Sequence, residues 1–234
     1  MSSGWPDFLD SLTGRYSSPL TFAFQWWHYN VPLLDRIRQT VPAPGSILEV
    51  GTGTGALSVF LAAHGYEVLG IDNDAQVIQR ATALAEYFHV QCRFALADAF
   101  DLTQHAGKYD LAFSSGVIEH FPMEQGVRML GQQARAARYV VVAVPTWHAL
   151  KYDPMTEPSG ARPIRLGALK RMCEQAELEI LKEFGYGIPQ GVFSAVYRHL
   201  LPHVAQWLLQ NHLSYACTIG CIARSRTWKA SPGA

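Results

Sequence analysis

Short apolar, β-branched runs alternate along most of the chain with segments whose apolar residues recur at helical spacing. The short runs predict strands at 47–50, 66–71, 91–97, 109–114, 139–144, 178–184 and 214–223. Helical spacing predicts helices at 56–63, 123–137 and 166–176, and Asp74 is the predicted cap of one more. Repeated βα units predict an α/β fold with a doubly wound, mostly parallel sheet.

The chain is expected to form one domain, 1–234, because its 234 residues are 49% apolar and 16% charged. The alternating core covers 46–184. An aromatic segment, 1–45, precedes it as a predicted helical cap, and an apolar, helical insertion, 185–212, separates it from the last strand, 213–225. The core therefore carries the common fold, and the other segments are candidates to shape a specific site.

The charge balance limits which classes of binding partner are expected, because lysine plus arginine equals aspartate plus glutamate at 19 each. This favours a small-molecule partner over nucleic acid or an anionic membrane. No apolar run approaches the roughly 20 residues that cross a bilayer, and no signal segment is apparent. The four cysteines lack a metal-type spacing, so we expect a cytoplasmic protein with reduced thiols and no metal site.

Candidate ligand residues follow the ends of the predicted parallel strands, where such sheets bind ligands. The first strand runs into the glycine turn ILEVGTGTG, whose glycines are Gly51, Gly53 and Gly55. Later strands end at Asp72, at Asp98, and at a pair of serines. A carboxylate such as that of Asp72 can accept hydrogen bonds from both hydroxyls of a ribose, which indicates a nucleoside ligand.

Two classes of nucleoside ligand fit a glycine turn followed by an acid. With Ala56 at the third position the turn satisfies the dinucleotide fingerprint, and Asp72 would bind a ribose hydroxyl. The other class is S-adenosylmethionine, which carries net positive charge. Glu49 and Asp98 add acids to the rim, and no lysine or arginine occurs from 49 to 64. The negative electrostatic potential of these acids favours a cationic ligand over a pyrophosphate.

Four motifs in order resemble the class I S-adenosylmethionine-dependent methyltransferases: EVGTGTG, Asp72 in GIDND, Asp98 in LADAF, and YDLAFSSGVIEHF. The resemblance covers about 47–144. It implies a Rossmann-like, seven-stranded sheet with the last strand antiparallel, and S-adenosyl-L-methionine as cofactor. By the same resemblance Asp72 holds the ribose and Asp98 reads the adenine edge. The expected cofactor-binding set is Glu49, Gly51, Gly53, Gly55, Asp72, Asn73, Asp98, Ala99, Ser114 and Ser115.

Substrate recognition is expected from segments outside the shared core. Trp26, Trp27 and Tyr29 belong to a predicted helix that either covers the cofactor as a lid or packs on the sheet edge. The polar, proline-rich segment after the fifth strand is expected to be a loop, and it contributes the substrate candidates Thr146, Trp147, His148, Tyr152 and Arg162. The insertion 185–212 would roof the pocket, form a homodimer surface or form a second small core.

The resemblance predicts a methyltransferase that acts on a small molecule. Methyl transfer needs alignment above all, and a base only for some acceptors. The candidate bases are His148, His120 and His28, with His148 preferred. One alternative is a cyclase that cuts its own S-adenosylmethionine and releases methylthioadenosine, of the azetidine-2-carboxylate synthase type. A nicotinamide-dependent oxidoreductase or a binding module for an adenosyl ligand is the alternative of another class.

Overall fold

A computed structural model describes residues 5–152, 161–187, 213 and 216–230, and it contains one seven-stranded sheet. The strands are β1 (Ser46–Val50), β2 (Glu67–Asp72), β3 (Arg93–Leu96), β4 (Tyr109–Ser115), β5 (Ala137–Pro145), β6 (Leu178–Tyr186) and β7 (Thr218–Ser225). The helices are α1 (Trp5–Thr13), α2 (Pro19–Thr40), α3 (Ala56–Ala63), α4 (Ala75–Tyr87), α5 (Met123–Ala136), α6 (Trp147–Tyr152) and α7 (Leu166–Gln175).

The strand order is β3-β2-β1-β4-β5-β7-β6. β7 is antiparallel to both of its neighbours, and the pairs among β1 to β5 are parallel. The predicted doubly wound sheet with an antiparallel last strand is therefore confirmed. The chain reverses its direction of winding between β1 and β4, and the carboxyl ends of these two strands form the crevice where such sheets bind ligands.

Side chains that alternate along the strands fill two separate layers. One layer lies between the sheet and helices α2 and α3, where Ile47 and Phe113 pack with Leu33 and Leu61. The other lies between the sheet and helices α5 and α7. All four of these side chains are fully buried, and burial of a side chain of this size contributes about 1.5–3 kcal/mol.

The N-terminal helices α1 and α2 pack against the first turns of α3 and α4. Leu9 and Phe22 form one buried cluster with Ala56 of α3 and Val77 of α4. On the surface of this contact, Arg80 of α4 donates from Nε to Oδ1 of an aspartate of α1 at 2.8 Å. Because α3 and α4 begin at the carboxyl ends of β1 and β2, the helices α1 and α2 lie at the edge of the crevice.

Two predictions about local structure need correction. The segment after β5 was expected to be a loop, yet it begins with helix α6, whose first turn is helped by the Thr146 hydroxyl accepting from the His148 N–H at 3.2 Å. The last strand was expected from residue 214 but begins at Thr218, because the Ala216 N–H bonds the nearby carbonyl of Leu213. The Cys217 N–H bonds the carbonyl of Gly187, just beyond the end of β6.

The predicted insertion 185–212 lies mostly outside the described residues, so its role as a roof or dimer surface stays a prediction. Within the described ranges, no helix is long and apolar enough to cross a membrane. No disulfide joins the four cysteines, all of which are described.

Candidate active site

The glycine turn connects β1 to α3 and leaves one stretch of backbone open. All three glycines have positive φ: 74° at Gly51, 52° at Gly53 and 75° at Gly55. A Cβ at Gly51 would lie 2.6 Å from the Val117 side chain, and one at Gly55 would lie 2.7 Å from that of Ala81. Nothing lies within 4 Å of the corresponding position at Gly53. The outer glycines therefore allow close packing, and Gly53 presents bare backbone to the crevice.

The buried carboxyl group of Glu49 stabilises this turn through hydrogen bonds. Its side chain is 3% exposed, and Oε2 accepts from the hydroxyls of Thr52 at 2.8 Å and Ser58 at 2.5 Å. Burial raises the pKa of Glu49 to about 7, although the two hydroxyl bonds oppose the shift. The carboxyl group thus ties β1 to the turn and to α3. Glu49 was predictable from the motif, but its two partners were not, because the only signal for them in the sequence is a hydroxyl at each position.

Asp72, the last residue of β2, borders the open side of the turn. Its Oδ2 accepts from the Gly53 N–H at 3.3 Å and its Oδ1 from the Asp74 N–H at 3.2 Å. Burial raises its pKa, and the backbone bonds oppose that shift. A carboxylate has about four acceptor positions, so two remain for a ligand. Asn73 is exposed beside it, and Asp74 caps α4 as predicted.

Asp98 and Ala99 follow the end of β3 on the same rim. The pairing of Asp72 with Leu96 places the ends of β2 and β3 side by side. Asp98 is exposed, and its Oδ1 accepts from the Phe100 N–H at 2.8 Å. Ala99 is half-buried. This arrangement presents a short turn with a fixed carboxylate next to Asp72.

The two serines at the end of β4 face opposite ways. Ser114 is buried, and its hydroxyl accepts from Nε2 of Gln133 on α5 at 3.2 Å. Ser115 is half-buried on the other side of the strand. The structure therefore brings Ser115, and not the side chain of Ser114, to the face of the sheet that carries Glu49.

The aromatic residues of α2 are fixed by contacts with the core. Trp26 stacks on Phe22 with ring centroids 5.9 Å apart. The Trp27 indole N–H donates to the Ala56 carbonyl at 2.6 Å, and the Tyr29 hydroxyl lies 2.9 Å from that of Thr218. Of the three, Trp27 reaches the residue that follows the glycine turn. These contacts favour a packed helix, and the lid role stays a prediction.

The predicted substrate residues after β5 lie at the same end of the sheet. Thr146 is buried, and its hydroxyl donates to the Ala216 carbonyl at 2.6 Å. Trp147 is 61% exposed and His148 is half-buried, both in the first turn of α6. Tyr152 ends α6, and its side chain lies outside the described structure.

The other two histidines have different surroundings. His28 is exposed on α2 and stacks on Phe24, with ring centroids 6.4 Å apart. His120 is half-buried beyond β4, and its Nε2 lies 3.8 Å from Oε1 of Glu119. Burial raises the pKa of Glu119 to about 8, so this carboxyl group is mostly protonated at neutral pH. His120 and His148 thus lie at the crevice end of the sheet, whereas His28 lies on an outer face.

Taken together, these groups fit a positively charged nucleoside better than a pyrophosphate. Two acids, Glu49 and Asp72, contact the turn, a third, Asp98, lies on the rim beyond β3, and residues 49–64 contain no lysine or arginine. The backbone at Gly53 is open for close approach, and the Asp72 carboxylate borders it.

Comparisons with known proteins identify relatives for most of the chain. The profile of a family described as "Methyltransferase domain" matches residues 47–139. A ubiquinone biosynthesis O-methyltransferase from Aromatoleum aromaticum is 30% identical over 190 residues, which cover 70% of this chain and 81% of the relative. A protein of the same description from Coxiella burnetii is 31% identical over 114 residues, which cover 44% of this chain and 49% of the relative.

Solved structures share the fold along almost the whole chain. A magnesium protoporphyrin IX methyltransferase from Synechocystis PCC 6803, with bound SAH, has a TM-score of 0.64, with 18% identity over 95% of this chain and 94% of that chain. A [4+2]-cyclase has a TM-score of 0.64, with 16% identity over 95% of this chain and 93% of that chain. The fold alone therefore does not determine the reaction.

Proposed function

Because the chain belongs to the class I S-adenosylmethionine-dependent methyltransferases, we propose that it transfers a methyl group to a hydroxyl oxygen of a small molecule. The observation that supports an oxygen acceptor is the 30% identity to an O-methyltransferase over 81% of that relative's length. The balanced charge of 19 basic and 19 acidic residues supports a small acceptor rather than a nucleic acid. The oxidoreductase alternative is not retained.

The residues of the crevice fit the cofactor in distinct roles. Asp72 would accept from the two ribose hydroxyls with its two remaining acceptor positions. Gly53 would allow the ligand to approach the backbone, and Glu49 would keep the turn rigid through Thr52 and Ser58. S-adenosylmethionine supplies an electrophilic methyl group on a sulfonium, with a thioether as leaving group. The protein contributes mainly by holding the acceptor in line with that group.

A hydroxyl acceptor must lose its proton during transfer, so a base within reach accelerates the reaction. We propose His148 for this role, with His120 as the second choice. His148 is half-buried in the first turn of α6, and the Thr146 hydroxyl fixes its backbone. His28 is the weakest candidate, because it stacks on Phe24 on an outer face of α2.

The proposal is tested with acceptors that differ only in the atom that receives the methyl group. Purified protein is incubated with S-adenosylmethionine and either catechol, ortho-phenylenediamine or benzene-1,2-dithiol, and S-adenosylhomocysteine and methylated product are quantified. We expect methylation of the diol above the diamine and the dithiol. Turnover of the diamine or dithiol in preference to the diol would reject the oxygen acceptor while leaving methyl transfer in place.

A further inference from the structure

A cavity of about 600 Å³ opens between the segment after β4 and the start of α7. Its apolar wall includes Phe121 and Met172, and its polar wall consists of Glu119, Arg162, Arg165 and Arg171. Neither the glycine turn nor Asp72 lines it. The cavity is therefore separate from the proposed cofactor crevice. It includes Arg162, a substrate candidate from the sequence, and two arginines that have no assigned role, Arg165 and Arg171.

Among the described residues, no ion pair neutralises the three arginines. All three are exposed at the mouth of the cavity. The guanidinium of Arg171 folds back along its helix, because its Nη1 lies 3.8 Å from the Cβ position at Gly167. Guanidinium groups bind carboxylate and phosphate oxygens in pairs, so this cluster favours an oxyanion.

The start of α7 adds to the positive potential of the same wall. Arg165 is its N-cap residue and makes no side-chain capping bond, and the first turn contains no acid. The hydrogen bonds within the helix begin with the N–H groups of Ala168 and Leu169, which bond the Arg165 carbonyl at 2.8 and 3.0 Å. The first N–H groups of a helix lack partners within the helix and attract anions.

A buried oxygen of Glu119 is a second, independent observation that indicates a ligand. Its side chain is 2% exposed, and no described residue forms a hydrogen bond with its Oε2. A buried polar atom without a partner is costly, and a bound polar molecule would relieve that cost. Because burial raises the pKa of Glu119 to about 8, the group is mostly neutral at pH 7 and can donate a hydrogen bond to an anion.

The backbone connects this cavity to the cofactor crevice. Val117 packs against Gly51 of the glycine turn, and Glu119 follows it by two residues, a span of at most about 7 Å. The Arg162 N–H donates to the Glu119 carbonyl at 3.0 Å, which joins the segment before α7 to the segment after β4. The polar wall of the cavity at Glu119 is therefore separated from the glycine turn by only a short stretch of backbone.

We propose that this cavity binds an oxyanion group, a carboxylate or a phosphate, of the methyl acceptor, with Arg162, Arg165 and Arg171 as the cations and Glu119 as a neutral donor. The inference rests on the proposed methyl transfer and specifies its substrate class as acidic small molecules with an apolar body. The apolar wall at Phe121 and Met172 would contact that body.

The test is a binding measurement with matched anionic and neutral probes. The full chain, saturated with S-adenosylhomocysteine, is titrated by calorimetry with 3,4-dihydroxybenzoate, its neutral amide, or phenyl phosphate. We expect both anions to bind about tenfold or more tightly than the amide, and Arg165→Gln/Arg171→Gln to remove that preference. The matched control, Arg135→Gln/Arg226→Gln, removes two exposed arginines elsewhere and should keep it.

The outcomes separate this inference from the proposed function. Equal binding of the benzoate and its amide, or equal losses in the two double variants, would overturn the anion site while S-adenosylhomocysteine still binds. Selective binding of phenyl phosphate over the benzoate would assign the site to phosphates. Failure of S-adenosylhomocysteine to bind would instead overturn the methyl transfer, and with it the acceptor role of the cavity.

Discussion

Replacing Asp72 by alanine tests the proposed ribose contact. The carboxylate uses one oxygen for the Gly53 N–H, at 3.3 Å, and the other for the Asp74 N–H, at 3.2 Å. Two acceptor positions are left, one for each ribose hydroxyl. A hydrogen bond to a charged group contributes about 1.5–3 kcal/mol, and two bonds to one carboxylate are not additive. We therefore expect a loss of about 1.5–3 kcal/mol in binding, or roughly 10- to 160-fold in Kd.

The assay is calorimetric titration of the wild type and Asp72→Ala with S-adenosylhomocysteine. Alanine also frees the Gly53 N–H, so Asp72→Asn is measured alongside it. The amide keeps one acceptor oxygen for the Gly53 N–H but loses the charge and the oxygen that accepts from the Asp74 N–H, so its affinity for the ligand should fall. Asp101→Asn removes an exposed carboxylate just beyond β3 and should change Kd by less than about twofold.

The pKa of Asp72 adds a pH dependence to this prediction. Burial raises the pKa, so the carboxylate is protonated at a higher pH than an ordinary aspartate. Ribose binding should then weaken on acidification earlier than it would for an exposed acid, and Asp72→Ala should abolish that dependence. Unchanged affinity in Asp72→Ala at neutral pH would refute the ribose assignment, whatever its effect on stability.

The remaining predictions concern the turn, the buried acid and the base. Gly51→Ala should lower the unfolding free energy by more than Gly53→Ala, because a Cβ at position 51 would meet a side chain at 2.6 Å and one at position 53 would meet nothing within 4 Å. Gly53→Ala should mainly weaken cofactor binding, measured by calorimetry. Burial raises the folded-state pKa of Glu119 from 4.5 to about 8. The folded state therefore binds more protons across that interval, and stability falls as pH rises through it, by about 3–5 kcal/mol from this group. In urea unfolding at several pH values, Glu119→Gln should remove this fall and Glu124→Gln, which is exposed, should keep it. His148→Gln should lower kcat by about 10²- to 10⁴-fold without weakening cofactor binding, and an unchanged rate would exclude it as the base.

Most of the core could be predicted from the sequence because local and tertiary signals agree there. Helix α3 begins and ends at the predicted residues. Its start is set by the N-cap residue Gly55, which adopts a left-handed conformation. Asp74 caps α4 through bonds from the N–H groups of Gln76 and Val77, at 2.9 and 3.4 Å. In both places a single residue type determines the boundary through backbone chemistry.

The predictions were less accurate where tertiary contacts decide the outcome. Ala216 suits a strand by composition, but its N–H bonds the carbonyl of Leu213 three residues earlier, and strand pairing begins at Thr218. Helix α6 follows a hydroxyl contact at Thr146 that no periodicity reveals.

The candidate site was predictable as a set of strand ends, but not in its detailed contacts. The positions of Gly53 and Asp72 follow from motif and topology. The contact of Glu49 with Ser58, and the orientation of Ser114 toward α5, depend on packing between distant segments. The arginines of the cavity are neighbours in sequence, but they meet Glu119 and Phe121 only when the start of α7 packs against the segment after β4. A single sequence carries no signal for that approach.

The most direct test of the central claim is to follow the fate of S-adenosylmethionine with and without a hydroxyl acceptor. Purified protein is incubated with the deuteromethyl cofactor, alone and with 3,4-dihydroxybenzoate, and the adenosyl products are separated by liquid chromatography and mass spectrometry. We predict that the cofactor stays intact alone, and that the acceptor produces S-adenosylhomocysteine and a deuteromethyl ether in equal amounts. Methylthioadenosine formed from the cofactor alone, above the amount in a protein-free control, would contradict methyl transfer and establish cleavage of the cofactor's own side chain instead.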